Sequence, residues 1–247
     1  MTDVRIATTE LDGVVVATPV GTLDLASYAS LRDGLLKQAA STPPALVVRL
    51  GPDFVAASRS MLSVFATVWM RISQWPDIPL VLVAETDLHK HELKRSGVSR
   101  HVVTTPDLAS ALARAAEPPP RRYRRVDLPN SLVAALLARD EVRNACEEWH
   151  LPALLDDALV VVSELVENAI RHGRTDSVLR IELRPTGLSI AVRDDNPVPP
   201  VLTASQPGVP GHRGLELVEK ICVAWGTTPH SDGGKIVWAV LGLRRGR

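Results

Sequence analysis

The sequence predicts two domains, an α/β domain followed by an α+β domain. Three observations lead to this prediction. The chain has 247 residues, enough for two modest domains. The stretch EPPPRRYRR at 117–125 combines a proline run with a basic cluster, which is typical of an extended, semi-rigid linker. Strands alternate with helices before this stretch, whereas two helices precede the strands after it. We therefore predict domains at 1–116 and 126–247.

The composition is that of an ordinary globular protein. Hydrophobic residues make up 45% of the chain and charged residues 23%, and the formal net charge of +0 indicates neither a nucleic-acid partner nor a membrane partner. The two cysteines, Cys146 and Cys222, are too few for a disulfide framework or a zinc site. The N-terminal stretch lacks the apolar core of a signal peptide, and no apolar run is long enough to span a bilayer, so we expect a cytoplasmic protein.

Strand and helix signals alternate along the first domain. Two β-rich runs at 4–8 and 13–19 come first, with an Asp-Gly hairpin signal at Asp12 and Gly13. The elements predicted next are a helix through Tyr28 and Leu36, a strand at 45–50, a helix at 60–75, a strand at 80–84, a helix at 89–96, a strand at 101–103 and a helix at 107–115. This order predicts an α/β domain with a mainly parallel sheet.

The first domain resembles the STAS domain of anti-sigma-factor antagonists over residues 4–115. Its best local match is GTLD, from Gly21 to Asp24. That family carries a phosphorylatable serine at the start of the helix after the second buried strand, where free backbone N–H groups can host a phosphate. This position maps onto Ser58 within VAASRSML, so the resemblance implies that Ser58 is a phosphoacceptor. The alternative is that Ser58 caps the helix, a role for which Ser60 is equally suited.

The second domain is organised around a long helix predicted at 151–173. Pro152 suits its first turn, and Gly173 suits the residue just past its end. Apolar residues recur at helical spacing and form one stripe: Leu155, Ala158, Leu159, Val162, Leu165, Val166 and Ala169. Glu164 and Asn168, four residues apart, share a face beside this stripe. Either they lie on a solvated polar face, or the amide oxygen holds Mg²⁺ and the carboxylate takes a proton from an attacking hydroxyl.

Another helix, strands and a loop complete the second domain. A helix, either continuous or broken near Arg139, is predicted at 129–149, and two strands are predicted at 178–184 and 188–193. Asp194 and the residues that follow it stop the second strand. Residues 198–210 have no periodicity and are predicted to be a flexible loop. The turn Gly211-His212-Arg213-Gly214 then leads into a helix at 215–224, and strands at 225–228 and 235–243 end the domain.

Four motifs stand in this part of the chain in a characteristic order: SELVENAIRHG, RDDNP, GHRGLELV and WGTTPHSDGGKIVWAVL. Over residues 126–243 they resemble the GHKL (Bergerat) ATP-binding fold, an α/β sandwich, and within it the anti-sigma-factor serine kinases. The resemblance implies ATP and Mg²⁺ as cofactors. It also implies that Asn168 coordinates Mg²⁺ and that Glu164 orients or deprotonates a serine or threonine hydroxyl that attacks the γ-phosphate.

The same resemblance assigns the other nucleotide contacts. Asp194, or its neighbour Asp195, matches the aspartate that accepts a hydrogen bond from the adenine amino group. Gly211 and Gly214 let the backbone approach the phosphates, and the N–H groups that open the helix at Leu215 point toward them. Arg213 adds a forked cation to a phosphate oxygen. The alternative for the glycine turn is an ordinary helix N-cap.

The chain departs from these kinases at two positions. His212 stands where a second glycine is usual in the phosphate turn, and Ile236 stands where many relatives have a threonine near the phosphates. These departures bear on the rate of catalysis more than on nucleotide binding.

Together the two resemblances imply a bacterial-type regulator that controls a sigma factor by partner switching. Its second domain would phosphorylate a serine of a STAS-domain protein, in cis or in trans, and a sigma factor would be a further partner. The alternative is a non-catalytic nucleotide switch that binds a sigma factor or a STAS partner without phosphotransfer. A two-component histidine kinase is not favoured, because no long helix pair with a phosphoacceptor histidine precedes the ATP-binding part. A homodimer is left open.

Overall fold

Residues 4–116, 122–173, 175–185, 187–199, 214–230 and 233–243 are described by the computed structural model. The chain divides into two units, residues 1–119 and residues 120–247. Both units combine helices with a sheet, which confirms the predicted mixed α/β fold class. None of the described helices has the length and apolar character of a transmembrane helix.

The first unit is built on a mainly parallel sheet. Its elements are β1 (Arg5–Leu11), β2 (Val14–Leu23), α1 (Leu25–Ala40), β3 (Leu46–Leu50), β4 (Phe54–Ala56), a 3-10 helix (Arg59–Leu62), α2 (Ser63–Gln74), β5 (Leu80–Ala84), α3 (Asp87–Ser96), a 3-10 turn (Val98–Arg100), β6 (Val103–Thr105) and α4 (Leu108–Ala115). The strand order is β1-β2-β3-β5-β6, with β4 beside β2. Only the pair β1 and β2 is antiparallel among these pairings.

Helices cover both faces of this sheet, so β5 is apolar and buried throughout, and β3 is apolar and buried at every residue but Arg49. Successive side chains of β3 point to opposite faces. Leu46 and Val48 join the core cluster that contains residues of α1, α2 and α3. Val47 joins a second cluster that contains Ala111 and Ala115 of α4. The alternation of strands and helices predicted from the sequence thus gives a three-layered unit.

The second unit is an antiparallel sheet with helices packed on it. Its elements are β7 (Arg122–Leu128), α5 (Val133–Glu148), a 3-10 turn (Pro152–Leu154), α6 (Leu155–Asn168), a π-helical segment (Ala169–Gly173), β8 (Ser177–Arg184), β9 (Gly187–Asp194), α7 (Gly214–Ile221), β10 (Ala224–Pro229) and β11 (Lys235–Gly242). The strand order is β10-β11-β9-β8-β7. α5, α6 and α7 share one apolar core with this sheet.

The structure corrects one sequence prediction for this unit and decides between two alternatives for another. Residues 122–125, predicted to be linker, belong to β7, which pairs with β8 at the edge of the sheet. Arginines suit an edge strand because their charged ends stay in water, and Arg124 also forms an ion pair with Glu141 of α5. Of the two alternatives for the helix around Arg139, the continuous one is found in α5, since its apolar positions stay in register with the core.

Candidate functional site

One helical run carries both polar residues that the sequence singled out. The helix predicted at 151–173 consists of a 3-10 turn, α6 and the π-helical segment Ala169–Gly173. π-helical turns are frequent at functional sites. Asn168, the last residue of α6, is only 9% exposed, and among the described residues its amide Nδ2 has no hydrogen-bond partner. A buried amide without a partner is costly, which favours a ligand at this position.

Glu164, one turn earlier, lies against the first residue of α7. A Cβ added to Gly214 would overlap Glu164 Oε2 and would lie 2.7 Å from its Cδ. Glycine is therefore what lets the carboxylate approach the start of α7. Burial and the negative charge of Glu167 raise the pKa of Glu164, and the charge of Arg171 opposes this shift. A carboxylate with a raised pKa is better matched to proton transfer near neutral pH.

A groove of about 550 Å³ opens beside Glu164 between three helices. It is lined by Arg139 and Arg143 of α5, by Leu159, Val160 and Ser163 of α6, and by Leu217 of α7. The groove brings a cationic wall and an apolar wall to the carboxylate.

Asp194 closes β9 in a buried position. Its side chain is 0% exposed and that of Lys235 is 1% exposed, and Lys235 Nζ lies 2.8 Å from Asp194 Oδ1. The backbone N–H of Asn196 donates to the same oxygen at 2.9 Å. Asp194 Oδ2 is buried and has no hydrogen-bond partner among the described residues. Asp195, the other candidate for the adenine contact, is exposed.

Two glycines enclose Asp194. A Cβ on Gly173, at the end of the π-helical segment, would lie 2.9 Å from Asp194 Cβ, and one on Gly234 would overlap the Asp194 carbonyl oxygen. Gly234 also has a φ of +71°, in the region that favours glycine. The helical run that holds Glu164 against α7 contacts Asp194 at its last residue, Gly173. The structure thus places Gly214 and Asp194 in contact with the same helical run that carries Glu164.

The phosphate turn is described only in part. Leu215 lies half-buried in the first turn of α7, next to Gly214. Gly211 and Arg213, the two other residues assigned to the phosphates, lie outside the described residues. Their roles stay predictions.

No sequence motif singles out Lys235. The pattern predicts it only as the first residue of the last strand, yet it faces Asp194 directly in the register of β11 with β9. The sequence signal that points to it is a lysine directly before the apolar run IVWAVL, and the structure buries this lysine with the strand. Lysine is almost never fully buried unless it is paired, so this position calls for a carboxylate nearby.

Ser58, the predicted phosphoacceptor, belongs to the first unit and is exposed. It stands at the N-cap position of the 3-10 helix Arg59–Leu62, but its side chain caps no backbone N–H. Its Oγ instead lies 2.8 Å from Ser60 Oγ. The hydroxyl is therefore accessible and has no role in holding the helix end.

Comparison with known families concerns the second unit. Residues 128–241 match the family model of the histidine kinase-like ATPase domain. This part of the chain is a histidine kinase-like ATPase domain. The matched segment runs from the end of β7 to the end of β11 and contains Glu164, Asn168, Asp194 and Lys235.

Solved structures and curated proteins add two findings. The chain is similar to an anti-sigma-factor antagonist from Mycobacterium paratuberculosis, with 20% identity and a TM-score of 0.39 over 47% of this chain and 96% of that one. It is also similar to a variant of RsbS from Moorella thermoacetica, with 19% identity and a TM-score of 0.38 over 45% of this chain and 95% of that one. None of the curated proteins matches the chain.

The residues of this ATPase domain fit an adenine nucleotide and its magnesium ion. Asp194 Oδ2 is a buried acceptor without a partner among the described residues, which suits an exocyclic amino donor. Asn168 offers an amide oxygen of the kind that Mg²⁺ prefers, and its unpartnered Nδ2 is a donor that suits a phosphate oxygen. The backbone N–H groups at the start of α7 face anions favourably.

The raised pKa of Glu164 leads to a prediction about stability. Folding favours its protonated form, so the free energy of unfolding falls as pH rises through the folded-state pKa. Glu164→Gln removes the ionisation, and we expect the variant to have a higher Tm than the native protein at pH 8 and to lose this advantage toward pH 4. Scanning calorimetry of the full chain measures this, with Glu147→Gln at an exposed position of α5 as control. A lower Tm for Glu164→Gln at pH 8 would contradict the prediction.

Proposed function

We propose that the second unit binds ATP with Mg²⁺ and phosphorylates a serine of a STAS-domain protein, and that the chain regulates a sigma factor by partner switching. One observation carries the proposal. The helical run with Glu164 and Asn168 contacts the start of α7 at Glu164 and contacts Asp194 at Gly173, its last residue. One helical run thus brings together an acceptor for the adenine amino group, a metal ligand, a phosphate-facing helix end and a proton acceptor.

Each residue then has a binding or chemical task. Asp194 Oδ2 accepts a hydrogen bond from the adenine amino group, and Asn168 Oδ1 holds Mg²⁺. The N–H groups of the first turn of α7 face the phosphates, with Gly211 and Arg213 assigned to the same phosphates by the sequence resemblance. When bound, ATP with Mg²⁺ supplies the phosphoryl group and neutralises its developing charge.

Glu164 acts on the acceptor hydroxyl. Its carboxylate takes the hydroxyl proton while the serine oxygen bonds to the γ-phosphorus and the bond from that phosphorus to the β,γ-bridging oxygen breaks, releasing ADP. The raised pKa of Glu164 makes it a stronger proton acceptor than an ordinary glutamate. The groove lined by Arg139, Arg143 and Leu217 gives the acceptor segment a way to the carboxylate.

The acceptor belongs to a STAS-domain protein on two grounds. The first unit has the strand and helix order expected for that domain, and the sequence of the second resembles kinases whose substrates carry it. Ser58 of this chain is one candidate, in cis or in trans, because its hydroxyl is exposed. A separate STAS protein is the other candidate, and a sigma factor is the partner that phosphorylation would release or capture.

The test is phosphotransfer from γ-labelled ATP. The full chain is incubated with Mg²⁺ alone and with purified STAS-domain proteins, and labelled serine is located by mass spectrometry. We expect label on a STAS serine with the native chain and none with Glu164→Ala, while Ser58→Ala distinguishes self-labelling from labelling of a partner. ATP binding by calorimetry without transfer to any acceptor would instead identify a nucleotide switch. Absence of ATP binding would reject the proposal.

A further inference from the structure

A fully buried lysine at the base-binding end of the site calls for an explanation. Lys235 Nζ donates to Asp194 Oδ1 at 2.8 Å and to the Asn196 carbonyl oxygen at 3.1 Å. A lysine ammonium has three donors, so these two contacts leave one donor without a partner in the described part of the chain. Burial of an ammonium is unfavourable unless its hydrogen bonds are satisfied.

The remaining donor of the Lys235 ammonium lies beside an acceptor of Asp194 that also has no partner. Asp194 Oδ2 is buried and lacks a hydrogen-bond partner within the described ranges. Lys235 and Asp194 stand directly opposite each other on neighbouring antiparallel strands, so both side chains lie on one face of the sheet. The pair therefore presents one donor and one acceptor next to each other.

We propose that Lys235 contacts the nucleotide base and determines base specificity, an inference that rests on the proposed ATP site. Adenine carries an amino donor at C6 next to an acceptor at ring nitrogen N1. Asp194 Oδ2 accepts from the amino group and Lys235 Nζ donates to N1. A 6-oxopurine placed in the same way sets its carbonyl against the carboxylate and its N1–H against the ammonium, so it is rejected.

A purely structural role for Lys235 makes a different prediction. A lysine that only balances the charge of Asp194 would affect every nucleotide to the same extent, whatever atom stands at position 1 of the base. A lysine that donates to N1 loses its effect when N1 is replaced by a C–H group. The nucleotide analogue therefore separates the two roles without relying on catalysis.

The experiment measures dissociation constants by calorimetry, with the full chain and Mg²⁺, for ATP, 1-deaza-ATP and inosine triphosphate. For the native protein we expect 1-deaza-ATP and inosine triphosphate to bind about ten- to hundredfold more weakly than ATP, the range for a lost hydrogen bond to a charged group. For Lys235→Met we expect ATP to weaken by a similar factor and 1-deaza-ATP to bind as weakly as ATP. Lys220→Met, at an exposed position of α7, is the matched control and should bind all three as the native protein does.

Each outcome bears on the proposal. If the native protein binds ATP and 1-deaza-ATP equally, the contact to N1 does not exist and the proposal is overturned, while the ATP site stands. If the native protein binds no ATP, the proposed function fails and this inference fails with it. Should Lys235→Met not fold, as judged by circular dichroism, the native analogue series decides alone, and Lys235→Arg, which keeps a cationic donor, should retain part of the preference for ATP over 1-deaza-ATP.

Discussion

Glu164→Gln will lower the rate of phosphotransfer from ATP to a STAS-domain serine by about 100- to 10,000-fold, the range for loss of a general base. Glutamine has nearly the same shape as glutamate, so it still fits against Gly214, where no Cβ is tolerated. It cannot take a proton from the acceptor hydroxyl. Since the base, the metal ligand and the phosphate-facing helix end are separate groups, nucleotide affinity should stay close to the native value. Single-turnover transfer of labelled phosphate and calorimetry measure the two quantities.

Two comparisons make this result specific to Glu164. Glu147→Gln removes an equal charge from an exposed side chain of α5 and should leave transfer near the native rate. The base works only when it is ionised, and the pKa of Glu164 is raised. As the pH is lowered, the transfer rate of the native protein should therefore begin to fall at a higher pH than it would with an ordinary glutamate. Full activity of Glu164→Gln would show that another group takes the proton.

The central helix could be predicted because its signal is local. Residues that repeat at helical spacing between 151 and 173, such as Ala158, Val162 and Leu165, are buried in the core of the second unit. That periodicity alone leaves Glu164 and Asn168 on the adjoining face. It does not reveal the change to π-helical geometry after Asn168, which depends on the packing of the segment's end against β9.

The pairing of Asp194 with Lys235 cannot be predicted from local sequence patterns. Asp194 and Lys235 are 41 residues apart, and they meet because β9 and β11 pair in one particular register. A one-residue slip would turn Lys235 to the opposite face. The sequence resemblance identifies Asp194 and compares Ile236 with a threonine of the relatives. It assigns no role to Lys235, the residue before Ile236.

At the linker, a local pattern predicts the wrong structure. Prolines and arginines between residues 117 and 125 predict an extended spacer, yet residues 122–125 form the start of β7. Extended backbone suits a spacer and an edge strand equally, and composition does not distinguish them. Pairing with β8 and the ion pair from Arg124 to Glu141 decide in favour of the strand.

Lys235→Met will destabilise the second unit by about 3–5 kcal/mol, because it leaves the buried carboxylate of Asp194 without its counter-charge. Hydrogen exchange of the β9 and β11 amides in the full chain measures this loss as faster exchange. Lys220→Met, on the surface of α7, should change exchange in these strands little.

The double variant Lys235→Met with Asp194→Asn isolates the reason for that loss. Asparagine at position 194 still accepts the hydrogen bond from the Asn196 N–H but carries no charge, so the double variant should be more stable than Lys235→Met alone. If instead the two changes add, the lysine stabilises the fold through its packing and not through the carboxylate. The same double variant should lose the preference for ATP over inosine triphosphate, since the charged donor and the charged acceptor that face the base are both removed. Stability and base recognition would then depend on the same pair of side chains.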